Sequence, residues 1–140
     1  MNRFFVLACA SLAAGACTMN QPADPRAEQA GEARLAAALQ GYEQAGPPSS
    51  CVQEYQLGGN RSVGDAIIFG GRTSDTLYVN RPGGGCTSLG MGNALITHSN
   101  QAQLCRGDIA RVFDPVSRTE MDGCALGDFT PYRRIPRSRG

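Results

Sequence analysis

The 140-residue sequence contains no tryptophan, no lysine and a single histidine, His98. It also lacks a Cys-x-x-Cys pair. A zinc site normally uses close cysteine pairs or paired histidines, and a thioredoxin-type redox centre needs Cys-x-x-Cys, so we expect no metal and no redox centre. The glycine-rich stretch of residues 82–93 does not fit a phosphate-binding P-loop, because Met91 stands where that motif has lysine. We therefore expect no cofactor.

No apolar run reaches the ~20 residues that a transmembrane helix requires. The run that begins at Phe4 is shorter, follows a positive charge at Arg3, and closes on small residues in Leu12-Ala13-Ala14-Gly15-Ala16-Cys17. A basic start, an apolar segment and a small-residue cleavage site are the parts of an export signal. We therefore interpret residues 1–16 as a signal peptide.

The cysteine at the cleavage point indicates more than export. The stretch that ends at Cys17 resembles the lipobox of bacterial lipoproteins, which implies that Cys17 is acylated and becomes the first residue of the mature chain. Thr18 follows it rather than aspartate. By resemblance to the sorting rule of enteric lipoproteins, this implies the outer membrane, facing the periplasm. The alternative is an ordinary signal peptide cut after Ala14-Gly15-Ala16, and then the chain is secreted without an anchor.

Residues 17–50 are interpreted as the lipidated N terminus, a helical spacer and a linker. Asp24 is a candidate N-cap, Pro25 suits the first helical position, and the alanine-rich sequence predicts a helix over residues 26–39. The apolar face is mostly alanine and the segment is acidic, so we expect a solvated spacer rather than a basic membrane-surface helix. Residues 47–50, Pro-Pro-Ser-Ser, predict a boundary linker.

The remaining sequence, residues 51–132, predicts a β domain. Leu77 and Val79 alternate with Tyr78 and Asn80, which is the period of a half-buried strand. Short runs of this kind, separated by turn residues and without a central helix, indicate a mainly β fold: a small antiparallel barrel or sandwich of about six strands. The predicted strands cover residues 52–57, 65–70, 76–81, 94–98, 108–113 and 124–132.

Four cysteines follow the anchor, and an even number in a small exported domain predicts two disulfides. Three pairings are possible, and we favour Cys51–Cys124 and Cys86–Cys105. The first joins the opening and closing strands, which become neighbours if the sheet curls shut. The second clips the ends of the segment that contains residues 94–98.

Several landmarks of this domain resemble a known family. With Cys51 ahead of them, they are similar to an uncharacterised family of small exported proteobacterial proteins, often lipoproteins, classed as a domain of unknown function. The resemblance covers residues 51–132 and implies no catalytic residue. The landmarks are Tyr78-Val79-Asn80-Arg81, Cys86-Thr87-Ser88-Leu89, Leu104-Cys105-Arg106-Gly107-Asp108 and Cys124-Ala125-Leu126-Gly127-Asp128-Phe129.

Charge and motifs narrow the function. Loss of the signal peptide leaves twelve arginines and twelve acidic residues, and this near neutrality argues against nucleic acid as a partner. No spacing links His98 to a nucleophile, so the leading hypothesis is a non-catalytic binding or scaffolding module of the envelope. The alternative is a small periplasm-facing enzyme or inhibitor with a site around His98 and the glycine-rich loop 82–93.

Residues 133–140 form a predicted arginine-rich tail with Arg133, Arg134, Arg137 and Arg139 and no acid. One interpretation is a mobile, solvated end. The other is contact with an anionic surface, because guanidinium groups match phosphate geometry and the predicted anchor holds the chain beside lipid headgroups. The expected partners are thus the membrane, through the lipid, and an anionic envelope surface or another envelope protein. The sequence does not indicate an oligomeric state.

Overall fold

The computed structural model describes residues 24–84, 86–99 and 101–137. The predicted signal peptide, Cys17 and Arg139 lie outside these residues. The described chain is mainly β, with antiparallel sheets and two disulfides, as predicted. It has two helices, α1 (Pro25–Ala38) and the single turn α2 (Glu54–Leu57), and a 3-10 helix (Thr87–Met91). The strands are β1 (Tyr42–Gln44), β2 (Cys51–Gln53), β3 (Asn60–Val63), β4 (Ala66–Phe69), β5 (Thr76–Asn80), β6 (Ala94–Thr97), β7 (Gln103–Cys105), β8 (Ile109–Asp114), β9 (Thr119–Ala125) and β10 (Phe129–Arg134).

The largest sheet has five strands in the order β1-β10-β5-β4-β3, and all of its pairs are antiparallel. Its central strand β5 alternates as the sequence predicted, with Leu77 and Val79 on one face and Tyr78 and Asn80 on the other. Both faces are covered, however, so β5 is buried on two sides rather than half-buried. Residues of β5 on one face contact α1, and those on the other face the second layer of the domain.

Helix α1 packs on the five-stranded sheet. Asp24 caps it as predicted, since its carboxylate accepts the N–H of Arg26 at 2.9 Å. Leu35 is buried with Ile68 and Leu77 of the sheet. Gly31 allows the helix to approach the sheet closely, so α1 packs on the domain along one face while the rest of it is exposed, as in the solvated helix that the sequence suggested.

The second layer consists of a three-stranded sheet, β6-β8-β9, and a two-stranded sheet, β2-β7. Their inward side chains, including Leu104 and Val112, pack against Phe69 and Phe129 of the large sheet, whose ring centroids lie 5.7 Å apart. In the described part of the chain the large sheet ends at β1 and β3 and does not close on itself. The domain is therefore a sandwich, not a barrel.

The disulfides join Cys51 to Cys105 and Cys86 to Cys124, so the predicted pairing was wrong. Strand β2 pairs with β7, and this register places Cys51 directly opposite Cys105. Cys86 precedes the 3-10 helix, which packs beside β9, the strand that carries Cys124. The prediction failed because the predicted closing strand, residues 124–132, divides in two. Its first residues, with Cys124, belong to β9, which pairs with β8, while β2 with Cys51 pairs with β7.

The predicted linker contacts the large sheet at Ser49, and the predicted tail begins within β10. Ser49 exchanges two backbone hydrogen bonds with Phe129, each 2.9 Å long. At the other end of β10, Arg133 is paired with Glu43 and Arg134 with Tyr42. Every buried apolar residue of both cores lies between Leu35 and Phe129. Residues 18–140 thus contain the packed core that the described residues form.

The described residues form ten short strands instead of the predicted six. The predicted strand over residues 52–57 divides into β2 and the helical turn α2. Gly64 and Asp65 form a two-residue connection between β3 and β4, with Gly64 at φ +58°. Glycine at the first position of such a hairpin turn is favoured because it tolerates positive φ. Strand β3 was not predicted although this turn signal stands in the sequence.

Asn80 fixes the connection between β9 and β10. Its side chain is fully buried, accepts the N–H of Gly127 at 2.9 Å and donates to the Gly127 carbonyl at 2.7 Å. The amide thus satisfies both backbone groups of one residue, as a neighbouring strand would. Asn80 is therefore a structural residue.

Candidate functional site

Arginines gather at one end of the five-stranded sheet, where β10 ends and the turn between β4 and β5 begins. Two open clefts adjoin there, with volumes of about 620 and 580 Å³, and Arg134 lines both of them. We call this region the basic end and define it by five residues. They are Arg61, Arg72, Arg133, Arg134 and Arg137.

The local sequence explains how the basic end forms. Gly41 has φ +81°, a conformation that glycine adopts easily, and it lies between α1 and β1. The reversal places Tyr42 opposite Arg134 in the β1–β10 register. Because successive residues of a strand point to opposite faces, Arg133 lies on the other side of the sheet from Arg134.

Arg134 is held by several contacts at once. Its Nη2 donates to the Tyr42 hydroxyl at 2.5 Å and to the carbonyls of Arg72 and Ser74 at 3.0 and 3.1 Å. The guanidinium carbon lies 4.9 Å from the centroid of the Tyr42 ring, a cation–π distance. The Tyr42 hydroxyl in turn donates to the Ser74 carbonyl at 2.7 Å. Arg134 is therefore fixed in one orientation.

Arg61 is held by the same turn. It lies on β3, and its Nη1 donates to the carbonyl of Gly70 at 3.0 Å. Arg72 follows two residues after Gly70 and is exposed. The turn from Gly70 to Ser74 therefore accepts hydrogen bonds from two guanidinium groups and carries a third.

Acidic residues are few at the basic end. Among the residues that line the two clefts, Asp75 is the one carboxylate, and it lines only the 620 Å³ cleft. Its side chain is 92% exposed and lies 3.7 Å from Nε of Arg134, so this ion pair is weak. The 580 Å³ cleft, which we call the helix-side cleft, is lined by the end of α1, by β3 and by Arg72 and Arg134, with no acid among its lining residues. The five arginines outnumber Asp75 and Glu43, which lies opposite Arg133 in the β1–β10 register, so the basic end carries a net positive charge.

The structure brings together three of the arginines that the sequence singled out, Arg133, Arg134 and Arg137, while Arg139 lies outside the described residues. Sequence reasoning missed Arg61 and Arg72, which stand alone in the chain with no local signal. Ile135, between Arg134 and Arg137, is an exposed apolar residue of the same surface, with 45% of its area accessible.

His98 lies at a different place, in a small cavity of about 260 Å³ beside Gln101, Gln103 and Asp108. No arginine and no described residue of the loop 82–93 lines this cavity. Asp108 is occupied there, because one oxygen of its carboxylate accepts the N–H of Cys105 at 2.8 Å. This cavity therefore does not include the described part of the glycine-rich loop, with which the enzyme alternative grouped His98.

Two other carboxylates are tuned by local hydrogen bonds. The Arg81 guanidinium donates to both oxygens of Glu32, at 2.5 and 2.9 Å, and lowers the pKa of Glu32 from its ordinary 4.5. The same pair raises the pKa of Arg81. Hydrogen bonds from the Ser117 hydroxyl and the Val116 N–H lower the pKa of Asp114. The first pair ties α1 to the end of β5, and the second closes the β8–β9 turn.

The described residues contain no group of three His, Cys, Asp or Glu side chains arranged to bind a metal ion. Across residues 24–84, 86–99 and 101–137, no helix has the length and apolar character needed to span a bilayer. No protein-family model matches the chain, and no curated protein and no solved structure matches it either.

Proposed function

We propose that this protein is an exported, lipid-anchored envelope module that binds an anionic surface through its basic end, without catalysis. The observation that carries the proposal is the collection of five arginines around two adjoining clefts, whose lining residues include one carboxylate, the weakly paired Asp75. The anchor rests on the sequence that ends at Cys17, and the resemblance to small exported lipoproteins agrees with it. The anchor places the domain in the outer membrane, facing the periplasm.

The chemistry of the basic end suits phosphate-bearing surfaces. Guanidinium groups present planar pairs of N–H donors that match phosphate oxygens. Each basic residue near an anionic headgroup layer contributes about 1 kcal/mol, and salt weakens the attraction. Exposed Ile135 lies among these arginines and adds an apolar group that suits the boundary between headgroups and acyl chains.

The anchor makes modest affinity sufficient. A chain tethered to a membrane meets the headgroup layer at an effective concentration in the millimolar range, so a weak second contact becomes occupied. Arg72, Arg133 and Arg137 are exposed and free to make that contact, whereas Arg134 is held in place by Tyr42 and the turn. The lipid and the basic end then act as two attachments of one domain.

Two measurements test the proposal. Replacing Cys17 with serine should release the protein from the membrane fraction of cells, and a variant as membrane-bound as wild type would contradict lipidation. Vesicle binding by the unlipidated chain tests the surface contact. Residues 18–140, which contain the packed core of the described residues, should sediment with anionic vesicles at low salt and not with zwitterionic ones.

A matched pair of triple variants locates the contact. Replacing Arg72, Arg133 and Arg137 with serine should weaken vesicle binding about 100-fold, from three contacts of about 1 kcal/mol each. The control replaces Arg26, Arg34 and Arg118, which are exposed and line neither cleft, and so changes the net charge equally. Equal losses in the two triple variants would show that overall charge, not the basic end, governs binding.

A further inference from the structure

We propose that the helix-side cleft is a specific site for one phosphate group, bound between the guanidinium groups of Arg61, Arg72 and Arg134. The inference rests on the proposed anion binding but asks more of the structure, since it requires directed hydrogen bonds instead of a diffuse positive charge. The ligand class is a phosphate monoester, either a lipid headgroup phosphate or a soluble phosphate ester.

Two of the three guanidinium groups are held in position before any ligand binds. Arg61 is held by the carbonyl of Gly70, and Arg134 by the carbonyls of Arg72 and Ser74. These acceptors belong to a single five-residue turn, so two guanidinium groups are held against the turn that carries Arg72. Groups that are already ordered lose little conformational entropy when a ligand binds.

Several guanidinium N–H groups of the cleft have no hydrogen-bond partner among the described residues. A guanidinium group has five N–H donors. Within the described residues, Nη1 is the one nitrogen of Arg61 with a hydrogen bond, and the side chain of Arg72 makes none. Nη1 of Arg134 likewise has no partner there. The cleft therefore offers several N–H groups from three residues to a ligand with several acceptor oxygens.

The charge of the lining residues also favours an anion in the helix-side cleft. Three positive groups meet in this cleft, and no carboxylate is among its lining residues. The carbonyl end of α1 also borders the cleft, through Ala38 and Gln40, but a helix C terminus amounts to only about half a negative charge. Like charges held together this way repel, and a phosphate dianion would relieve the repulsion.

The shape of the cleft indicates what the phosphate is attached to. Its volume of about 580 Å³ is large for a bare anion, and its walls include the apolar side chains of Ala38 and Val63 and the ring of Tyr42. Ligand sites commonly combine apolar walls with a few polar groups that fix orientation. A phosphate that carries an organic substituent fits this combination better than free phosphate.

The test uses lysine substitutions, which keep the charge but remove the planar pair of donors. Residues 18–140 are titrated with inorganic phosphate and with glycerol phosphate at constant ionic strength, and binding is followed by NMR. Both should bind saturably, glycerol phosphate more tightly. Arg72→Lys should weaken binding about tenfold or more because a bidentate contact is lost, whereas the control Arg133→Lys, outside the helix-side cleft, should bind as wild type does.

Non-saturable binding, or equal binding by Arg72→Lys and wild type, would overturn the site and leave the proposed surface attraction standing. Arg61→Lys is a second probe, with its urea midpoint measured because it also loses the bond to Gly70; Arg72 has no such contact and carries the test if Arg61→Lys does not fold. Vesicles that contain phosphatidic acid distinguish the sources. Displacement of bound glycerol phosphate by these vesicles identifies a lipid phosphate, and no displacement identifies a soluble ester.

Discussion

Replacing Gly64 with alanine tests whether α1 is an integral part of the domain. A Cβ at Gly64 would lie 2.6 Å from the Cα of Gly31 on α1 and 3.0 Å from its carbonyl carbon and oxygen. Gly58 has the same φ of +58°, but a Cβ there would meet no atom closer than 3.8 Å. Gly58→Ala is therefore a matched control, which imposes similar backbone strain without a collision with the helix.

The expected magnitudes follow from these contacts. An alanine held at positive φ costs about 1–3 kcal/mol, and both variants share this term. In Gly64→Ala the backbone of α1 must also move away until the contact becomes an ordinary one of at least 3.4 Å. Forcing extra volume into a packed contact costs about 1–3 kcal/mol more. We therefore expect Gly64→Ala to lower the free energy of unfolding by about 1–3 kcal/mol more than Gly58→Ala does.

Urea unfolding of residues 18–140, followed by far-UV circular dichroism and tyrosine fluorescence, measures this difference; the chain has no tryptophan. Hydrogen exchange of the α1 amides gives a second reading, because a displaced helix should lose protection while the β5 amides keep theirs. Equal destabilisation by the two variants, with unchanged exchange in α1, would refute the packing of Gly31 on Gly64.

Three further predictions concern the remaining ties. Arg81 lowers the pKa of Glu32, so the stabilisation from this carboxylate is present above its ordinary pKa of 4.5 and is lost as the pH falls through the lowered pKa; the stability difference between wild type and Glu32→Gln should shrink from about pH 7 to about pH 3 in urea unfolding. Replacing Cys86 and Cys124 with alanine should cost about 4 kcal/mol on the chain-entropy model, and non-reducing peptide mapping of wild type should yield the Cys86–Cys124 peptide; a Cys86–Cys105 peptide would contradict the structure. Asn80→Leu should destabilise by about 2–4 kcal/mol, since both backbone groups of Gly127 lose their partner, and a change below about 0.5 kcal/mol in the unfolding free energy would argue against that role.

The fold class could be predicted from local patterns in the sequence. The period of two in residues 77–80, the even number of cysteines and the cap at Asp24 each depend on neighbours in the chain, and the structure confirmed the mainly β fold, the two disulfides and the cap. The status of α1 was harder to predict, because an alanine-rich face is equally compatible with a solvated helix. What decides it is the pair Gly31 and Gly64, thirty-three residues apart, whose lack of side chains permits close backbone contact.

The pairing of strands could not be predicted from local sequence patterns. The disulfide partners depend on which strands become neighbours, and β2 pairs with β7 through residues that carry no sequence mark of that choice. A hydrophobic pattern specifies which face of a strand is buried, but not which strand lies beside it. The predicted pairing required Cys51 to lie beside Cys124, but Cys124 is on β9, whose partner strand is β8.

The contacts of the basic end could not be predicted from local sequence patterns either. They change which experiment tests the surface. In the sequence, Arg133 and Arg134 belong to one arginine-rich tail, which suggests deleting residues 133–140. In the structure they are the last residues of β10, and Arg134 bonds to Tyr42 and to the turn that carries Arg72. Deletion would remove two residues of strand pairing and release Tyr42, so a loss of binding would not separate charge from folding. Substitution of exposed arginines leaves β10 in place, and for that reason it tests the surface where truncation does not.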